Sequence, residues 1–350
     1  MDIAVFAGGR SPEHDISLNS AAQVLRHLDR QRWRPWPVFL DRDGGFWPAR
    51  EALQAGETWQ PGLARTSHGP LRPGAALDWL LDHARVQLVL PILHGPYGED
   101  GTVQGMLELY DLPFVGSGCA ASAVAMDKML TRHVLAASNV PLAAAYSSSQ
   151  QLGSSDLATA FASMSATVGL PAFVKIPCSG SSRGVQRITT FAQFEQFASE
   201  WGGHSRRWFA EASVVGEEIT VAVLGNQGQL LQALPPVGIY PKFAAHFDER
   251  AKYEKGACDE IVPPRGLSTE NIELAKQIAI RCHQALGCDG MSRTDMIWSK
   301  DGPIVLEVNT IPGLTEMSLL PKAAAAAGYS FAGLLDHLLE LSLLRQGQPA

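Results

Sequence analysis

Arg293, Asp295, Glu307 and Asn309 stand at spacings that let them do chemistry together, within MSRTDMIWSKDGPIVLEVNTIPGLTEMSL, Met291 to Leu319. Side chains alternate along a strand, so Arg293 and Asp295 share one face, as do Glu307 and Asn309 on the next strand. Lys300, Asp301 and Gly302 read as a three-residue hairpin turn, with glycine supplying the positive φ. That turn sets Asp295 opposite Glu307 and Arg293 opposite Asn309, and sends Ile304, Leu306 and Val308 to the other side. Three oxygen-bearing side chains beside a guanidinium suit magnesium bridging phosphate. The alternative is a solvated polar face on an amphipathic hairpin. Opposed carboxylates are destabilising without a cation between them, which favours the metal reading. Ile311-Pro312-Gly313 follows as a turn whose glycine lets backbone approach a ligand.

Other stretches carry weaker chemistry. Lys175 lies on a strand feeding KIPCSGSSRG, where Ser179, Gly180, Ser181, Ser182 and Gly184 offer amides and hydroxyls that can wrap phosphate. A Ser/Gly loop alone is a linker; Lys175 and Lys128 give this one weight. RSPEHDIS places Glu13, His14 and Asp15 at the carboxyl end of the first strand, where open α/β sheets bind ligands. By themselves Glu13 and Asp15 read as first-turn acids favoured by the helix dipole. HGPYGEDG, with His94, Glu99 and Asp100, ends a buried strand, and His94 there favours a site role over a core one. GSGCAA at Gly116 to Ala121 lacks the third glycine of a dinucleotide fingerprint, and no Gly-Lys-Ser/Thr occurs to make a P-loop. Tyr240 to Gly266 has no apolar periodicity; it reads as a substrate-covering lid with Lys252 and Tyr253 at its tip.

The positioning elements follow from periodicity. Ile3 to Ala7, Gly8-Gly9 and a helix from about Ser17 begin an α/β unit. Strands are expected at Pro37 to Leu40 and Gln87 to Leu93, and a Thr102-capped helix at Val103 to Tyr110. Gln54 to Gly74 reads as a surface connection. One helix is expected from about Ala120 to Ala137. The next block holds a Ser-capped helix at 156–168, strands at 172–176 and 207–212, and a helix from Thr190. A hairpin turns at Asn226-Gln227-Gly228. A helix from Thr269 to Leu286 turns Ile272, Ala275, Ala279, Cys282 and Leu286 inward. Domain boundaries are expected at 1–124, 125–214 and 215–350.

Composition narrows the function. A chain of 350 residues allows two or three domains with a sizeable core. With 28 basic and 35 acidic residues, a net −7, it does not suit a nucleic acid bound through phosphates. MDIAVFAGG reads as a first strand rather than a signal peptide, and no apolar run reaches membrane-spanning length. Five cysteines without C-x-x-C spacing indicate neither a disulfide framework nor a structural zinc. The expected location is the cytoplasm.

Taken in order, the motifs resemble the D-alanine:D-alanine ligases of the ATP-grasp superfamily. The carriers are GGRSPEHDISLNS (8–20), LHGPYGEDGTVQGMLE (93–108), MDK (126–128), GSSRG (180–184), EASVVGEEITV (211–221), AKY (251–253), SRTD and LEVNTIPGLTEMSL. The resemblance covers nearly the whole chain. It implies an α/β (α+β subdomain) ATP-grasp fold: an N-terminal open parallel α/β sheet substrate domain, a central ATP-grasp subdomain and a C-terminal ATP-grasp catalytic domain. It implies that Lys128 and Lys175 hold ATP phosphates, Glu211 and Val214 meet adenine, Glu218 holds the ribose, and Ser181 and Ser182 close over the γ-phosphate. Asp295, Glu307 and Asn309 would bind two magnesium or manganese ions. Glu13 would take the first D-alanine's ammonium, and Ser318 with the Leu319 amide the second's carboxylate, with His94 lining the substrate site. Arg293 and the Gly313 amide would stabilise the oxyanion, Lys252 would reach the transferred phosphate, and Glu13, Ser181 and Tyr253 would fasten the lid. A homodimer is expected.

The chain also departs from the family pattern. Ile176 precedes Pro177 after the phosphate-loop lysine, Arg183 replaces a small apolar residue, Ala212 stands where a lysine is common, and Phe247 and Glu249 occupy lid tyrosine positions. Tyr253 resembles the dipeptide-forming members. Two other functions stay open: a ligase with a different second substrate such as D-serine, or serving a secondary-metabolite pathway, and a catalytically silent nucleotide-binding protein.

Overall fold

The computed structural model describes residues 1–61, 67–148, 152, 156–178, 183–203, 207–242 and 258–345. Ser179, Gly180, Ser181, Ser182, Phe247, Glu249, Lys252 and Tyr253 lie outside them.

The first sheet has β1 (Asp2–Gly8), β2 (Arg34–Leu40), β3 (Phe46–Pro48) and β4 (Leu88–Ile92) in the order β3-β2-β1-β4. β1 runs parallel to β2 and β4, and β3 adds an antiparallel edge. Alternate residues of β1 feed two cores. Ile3, Val5 and Ala7 pack with α1 (His14–His27), while Ala4 and Phe6 pack with α2 (Pro73–Asp82) and α3 (Thr102–Leu109). Burial on both faces explains why β1 and β4 are almost continuously apolar. Because β2 and β4 flank β1, the strand order reverses there, and the crevice at their carboxyl ends is the ligand-binding position of such sheets.

α4 (Cys119–Met126) and α5 (Lys128–Ala137) follow. The single helix expected over 120–137 is broken at Asp127, whose backbone is extended (φ −89°, ψ 100°). Its carboxylate accepts from the Met129 and Leu130 N–H groups at 3.0 and 3.2 Å. A short acidic side chain that satisfies the orphan donors of a new helix competes with continuation of the old one.

The second sheet has β5 (Ala145–Ser148), β6 (Ala172–Lys175), β7 (Val185–Ile188) and β8 (Trp208–Ala212), ordered β5-β8-β6-β7 and antiparallel. α6 (Leu157–Val168) and α7 (Phe191–Trp201) cover one face around Phe194, Phe197 and Trp208. Alternation then leaves Lys175 and Glu211 on the opposite face. The α6 cap is Asp156 rather than a serine: its carboxylate accepts from the Ala158 and Thr159 N–H groups.

The third sheet has β9 (Gly216–Leu224), β10 (Gln232–Ala233), β11 (Val237–Pro241), β12 (Cys258–Ile261), β13 (Met291–Ser299) and β14 (Gly302–Asn309). Its order is β12-β11-β9-β13-β14, with β10 beside β9. The stretch read as a lid thus begins and ends in paired strands, Tyr240 opposite Asp259. α8 (Thr269–Ala285) packs Ala275, Ala279 and Cys282 on one side of this sheet, together with Leu135 of α5. The other side, with Ala222, Leu224 and Met291, shares a core with the α1 face of the first sheet and with α9 (Leu319–Ala326) and α10 (Phe331–Arg345). That shared core brings the loops of the first sheet to the polar face of the third. Among the described residues no helix is long and apolar enough to cross a membrane.

The β13–β14 hairpin corrects one expectation and keeps another. Ser299 pairs with Gly302, so the turn has two residues, Lys300 and Asp301, not three. A one-residue bulge between Asp295 and Met296 offsets the difference and restores Asp295 opposite Glu307 and Arg293 opposite Asn309. Because a bulge changes parity, Val305 and Val308 are the inward residues; Ile304 and Leu306 stay half-buried.

Candidate active site

The polar face of the third sheet is built by register. Arg293 and Asp295 lie beside Ala222 and Thr220 of β9 on one side, and Asn309 and Glu307 of β14 on the other. Asp295 is buried and accepts four hydrogen bonds: Arg293 Nε (2.9 Å) and Thr220 Oγ1 (2.5 Å) to Oδ1, Arg293 Nη2 (2.8 Å) and Asn309 Nδ2 (3.1 Å) to Oδ2. Lys128 Nζ lies 3.3 Å from Glu307 Oε2. The two opposed carboxylates are therefore neutralised here by Arg293 and Lys128. Burial by itself would lower the Arg293 pKa, but Asp295, with Glu307 and Glu99 behind it, raises it above the ordinary arginine value.

Asp295, Glu307 and Asn309 form a hard-oxygen set suited to magnesium or manganese. The four donors on Asp295 fill its lone pairs, so a cation there requires one to yield. Asn309 is the simplest, since turning its amide replaces a donor with an oxygen ligand.

The first sheet contributes two loops. Glu13 opens α1, its N–H donating to Ser11 Oγ at 3.0 Å. Gly95 has φ +69°, and a Cβ there would lie 2.5 Å from both Glu13 Oε2 and Ser11 Oγ, so the glycine makes room for the carboxylate. His94 is buried with Nε2 3.5 Å from Ser20 Oγ; burial lowers its pKa, partly offset by Glu13. Glu99, to which no role was assigned from sequence, accepts from the Gly95 N–H at 2.6 Å. Burial, then the charge of Glu13, pushes its carboxyl up to about 8. Glu99 also feels Arg293 and Glu307, which marks the convergence of the two sheets at this point. Asp15 turns away and pairs with Arg42 on the surface.

The second sheet supplies Lys175 and Glu211, hydrogen-bonded to each other, with Glu211 also paired to Arg132 of α5. Sequence reasoning missed Arg132. Its only signal is the four-residue spacing from Lys128, which puts both cations on one side of α5. Lys128 itself is held at the helix start, its N–H donating to the Pro177 carbonyl at 3.1 Å. Ile176 is buried in the second-sheet core, which accounts for an apolar residue between Lys175 and Pro177. Val214 follows β8 half-buried, and Glu218 lies on β9 beside Ile239 and Ile297.

Ser318 and Leu319 lie at the start of α9, and Gly313 in the loop before it. Ser318 Oγ accepts from the Thr315 N–H at 3.2 Å and sits 2.8 Å from Thr315 Oγ1. A Cβ on Gly313 would approach Ser318 Oγ to 2.9 Å. The Glu316 N–H donates to Gln23 Oε1 of α1 at 3.0 Å, tying this loop to the helix that carries Glu13.

Comparison with known proteins agrees with this architecture. Residues 2–117 match the family model for the D-ala D-ala ligase N-terminus, and residues 135–340 that for the C-terminus. A D-alanine–D-alanine ligase from Syntrophobacter fumaroxidans is 39% identical over 344 residues, covering 98% of each chain. One from Nocardia farcinica is 35% identical over 364 residues, covering 98% of this chain and 97% of its own. Among solved structures, the D-alanine–D-alanine ligase from Coxiella burnetii superposes with a TM-score of 0.77 at 27% identity, covering 99% of this chain and 94% of that one. A D-Ala:D-Ser ligase from Enterococcus faecalis superposes with a TM-score of 0.77 at 26% identity, covering 97% and 99%. The fold is ATP-grasp, as its sequence motifs imply. On family models spanning nearly all of its length and relatives well above 30% identity, the chain belongs to the D-alanine–D-alanine ligase family.

Proposed function

We propose that the chain joins two D-alanines into D-alanyl-D-alanine at the expense of ATP, supplying a peptidoglycan precursor. The observation that carries this reading is the convergence of Glu13 and His94 from the first sheet with Arg293, Asp295, Glu307 and Asn309 of the third, with Lys128 against Glu307 and, one turn along the same helix, Arg132 on the Glu211 that also holds Lys175. One site then has groups for an amino acid, for phosphates and for a developing oxyanion.

Glu13 holds the first D-alanine's ammonium, aiming its carboxylate at the γ-phosphate. The carboxylate oxygen attacks phosphorus in line and ADP departs, with Lys128 and Lys175 neutralising charge, leaving an acyl phosphate. Glu211 and Val214 seat the adenine and Glu218 the ribose. Asp295, Glu307 and Asn309 would hold two magnesium or manganese ions, which supply further neutralisation of the phosphates. Ser318 and the Leu319 amide take the second D-alanine's carboxylate. Its amine attacks the acyl carbonyl, Arg293 and the Gly313 amide stabilise the oxyanion, and collapse expels phosphate as the nitrogen loses its proton. Ser181 and Ser182 close over the γ-phosphate and Lys252 reaches it, while Glu13, Ser181 and Tyr253 fasten the lid that keeps water out. The working units are 1–124, 125–214 and 215–350, in a cytoplasmic homodimer.

A D-alanine:D-serine ligase is the second reading, since an enzyme of that name superposes as well as a D-alanine ligase does. ADP release measured over pairs of D-amino acids, with ATP and magnesium, decides between them. Preference for two D-alanines is expected. A clear preference for another pair overturns the substrate assignment, and no ADP release with any pair points to a silent nucleotide-binding protein.

A further inference from the structure

Glu211 is a buried carboxylate with a cation on each oxygen: Arg132 Nη1 on Oε1 and Lys175 Nζ on Oε2. The two cations are anchored differently. Arg132 also donates through Nη2 to the Ala143 carbonyl at 2.5 Å, fixing its guanidinium to the chain just before β5. Lys175 has only a long single stem, with the Phe209 ring 5.9 Å from its Nζ. α5 is itself tied down, since its Asp127 cap is bound by Arg207, next to the start of β8. Lys128, one turn before Arg132, points to Glu307 of the third sheet, so α5 bridges the second and third sheets.

We propose that Arg132 is a positioning residue of the nucleotide site, holding the Glu211 carboxylate so that Lys175 can move from Glu211 to a phosphate. The inference rests on the reading above that Glu211 meets adenine and Lys175 a phosphate. Lys175 cannot serve Glu211 and a phosphate oxygen at full strength together. When it moves, Glu211 keeps a cation only if Arg132 is present, because a buried carboxylate stripped of its partner is strongly disfavoured. Arg132 thus makes the transfer of Lys175 close to an exchange of one ion pair for another. Its guanidinium suits this task better than an ammonium, since the fork reaches Glu211 and Ala143 in one fixed geometry.

The test uses the full-length protein and the variants R132K, R132M, E211Q and R132M/E211Q. It measures calorimetric binding of a non-hydrolysable ATP analogue with magnesium, and the KM for ATP and for D-alanine. Loss of a charge-assisted hydrogen bond predicts roughly 10- to 100-fold weaker nucleotide binding in R132M. The D-alanine KM is expected to be unchanged, with R132K recovering part of the loss. The loss from R132M is expected to be smaller in the E211Q background than in the parent, because removing the stranded carboxylate removes the reason Arg132 is needed. Nucleotide binding by R132M or by the milder R132K that equals the parent's overturns the proposal, as does multiplication of the two single effects in the double variant. If R132M does not fold, R132K against R132K/E211Q makes the same comparison. A parent protein that binds no nucleotide sinks the functional reading instead.

Discussion

Arg293→Ala separates the ion pair that the geometry shows from the oxyanion role proposed for this residue. Its guanidinium grips both oxygens of Asp295 at 2.9 and 2.8 Å, and both side chains are largely buried. Removing it leaves Asp295 with two uncharged donors, Thr220 and Asn309. Breaking a buried pair from one side costs about 3–5 kcal/mol, and the two surviving hydrogen bonds place this case near the lower end. For a chain of this size that lowers the melting temperature by roughly 4 °C. Catalysis should fall further. An oxyanion donor contributes on the order of 100- to 1000-fold in kcat, and the ATP KM should change little if Arg293 acts, as proposed, on the acyl carbon rather than the nucleotide. Arg293→Lys keeps a charge beside Asp295 but loses the fork, so it should recover most of the stability and little of the rate. The assay is ADP release with ATP titrated at saturating D-alanine, run beside a calorimetric melt. A raised ATP KM with turnover retained would falsify the oxyanion role, and an unchanged melt would refute the ion-pair energetics.

Gly95→Ala places a Cβ 2.5 Å from Glu13 Oε2 at a backbone φ of +69°, so the D-alanine KM should rise at least tenfold while ATP binding persists; equal losses in both would point to general unfolding. Glu99 keeps its proton to about pH 8 in the fold against an ordinary 4.5 in the unfolded chain. The native state therefore binds more protons between those values, and stability falls as pH rises through that window, by at most about 1.4 kcal/mol per unit. Glu99→Gln should flatten that slope in denaturant titrations at pH 5 to 8, and an unaltered slope would mean that Glu99 titrates normally. Asp127→Ala removes the α5 cap and the Arg207 pair, which should cost about 1–2 kcal/mol in urea unfolding and raise the ATP KM, because Lys128 and Arg132 ride on that helix. Asp127→Asn, which still caps, should retain most of the stability; if it is as damaged as the alanine variant, the cap is not what matters.

The sequence alone determined which residues could meet within a strand pair. Side-chain alternation put Arg293 with Asp295 and Glu307 with Asn309, and the pairing survived a misjudged turn because the bulge after Asp295 shifts the register by the residue that the shorter turn omits. It also determined the strand-glycine-helix unit at the N-terminus and, through ordered motifs spread over the chain, the family. Those signals are local, carried by periodicities of 2 and 3.6 residues or by short runs. What only the tertiary structure decided is which cations answer which carboxylates. Lys128 lies against Glu307, Arg132 and Lys175 share Glu211, and Glu99 is buried near the charge of Glu13 so that it holds its proton against the pull of Arg293. Partners such as Arg132 and Glu211 are 79 residues apart and belong to different elements, so no spacing in the chain announces them. Their charges become decisive only where packed sheets exclude water and an unpaired carboxylate is no longer cheap to keep ionised.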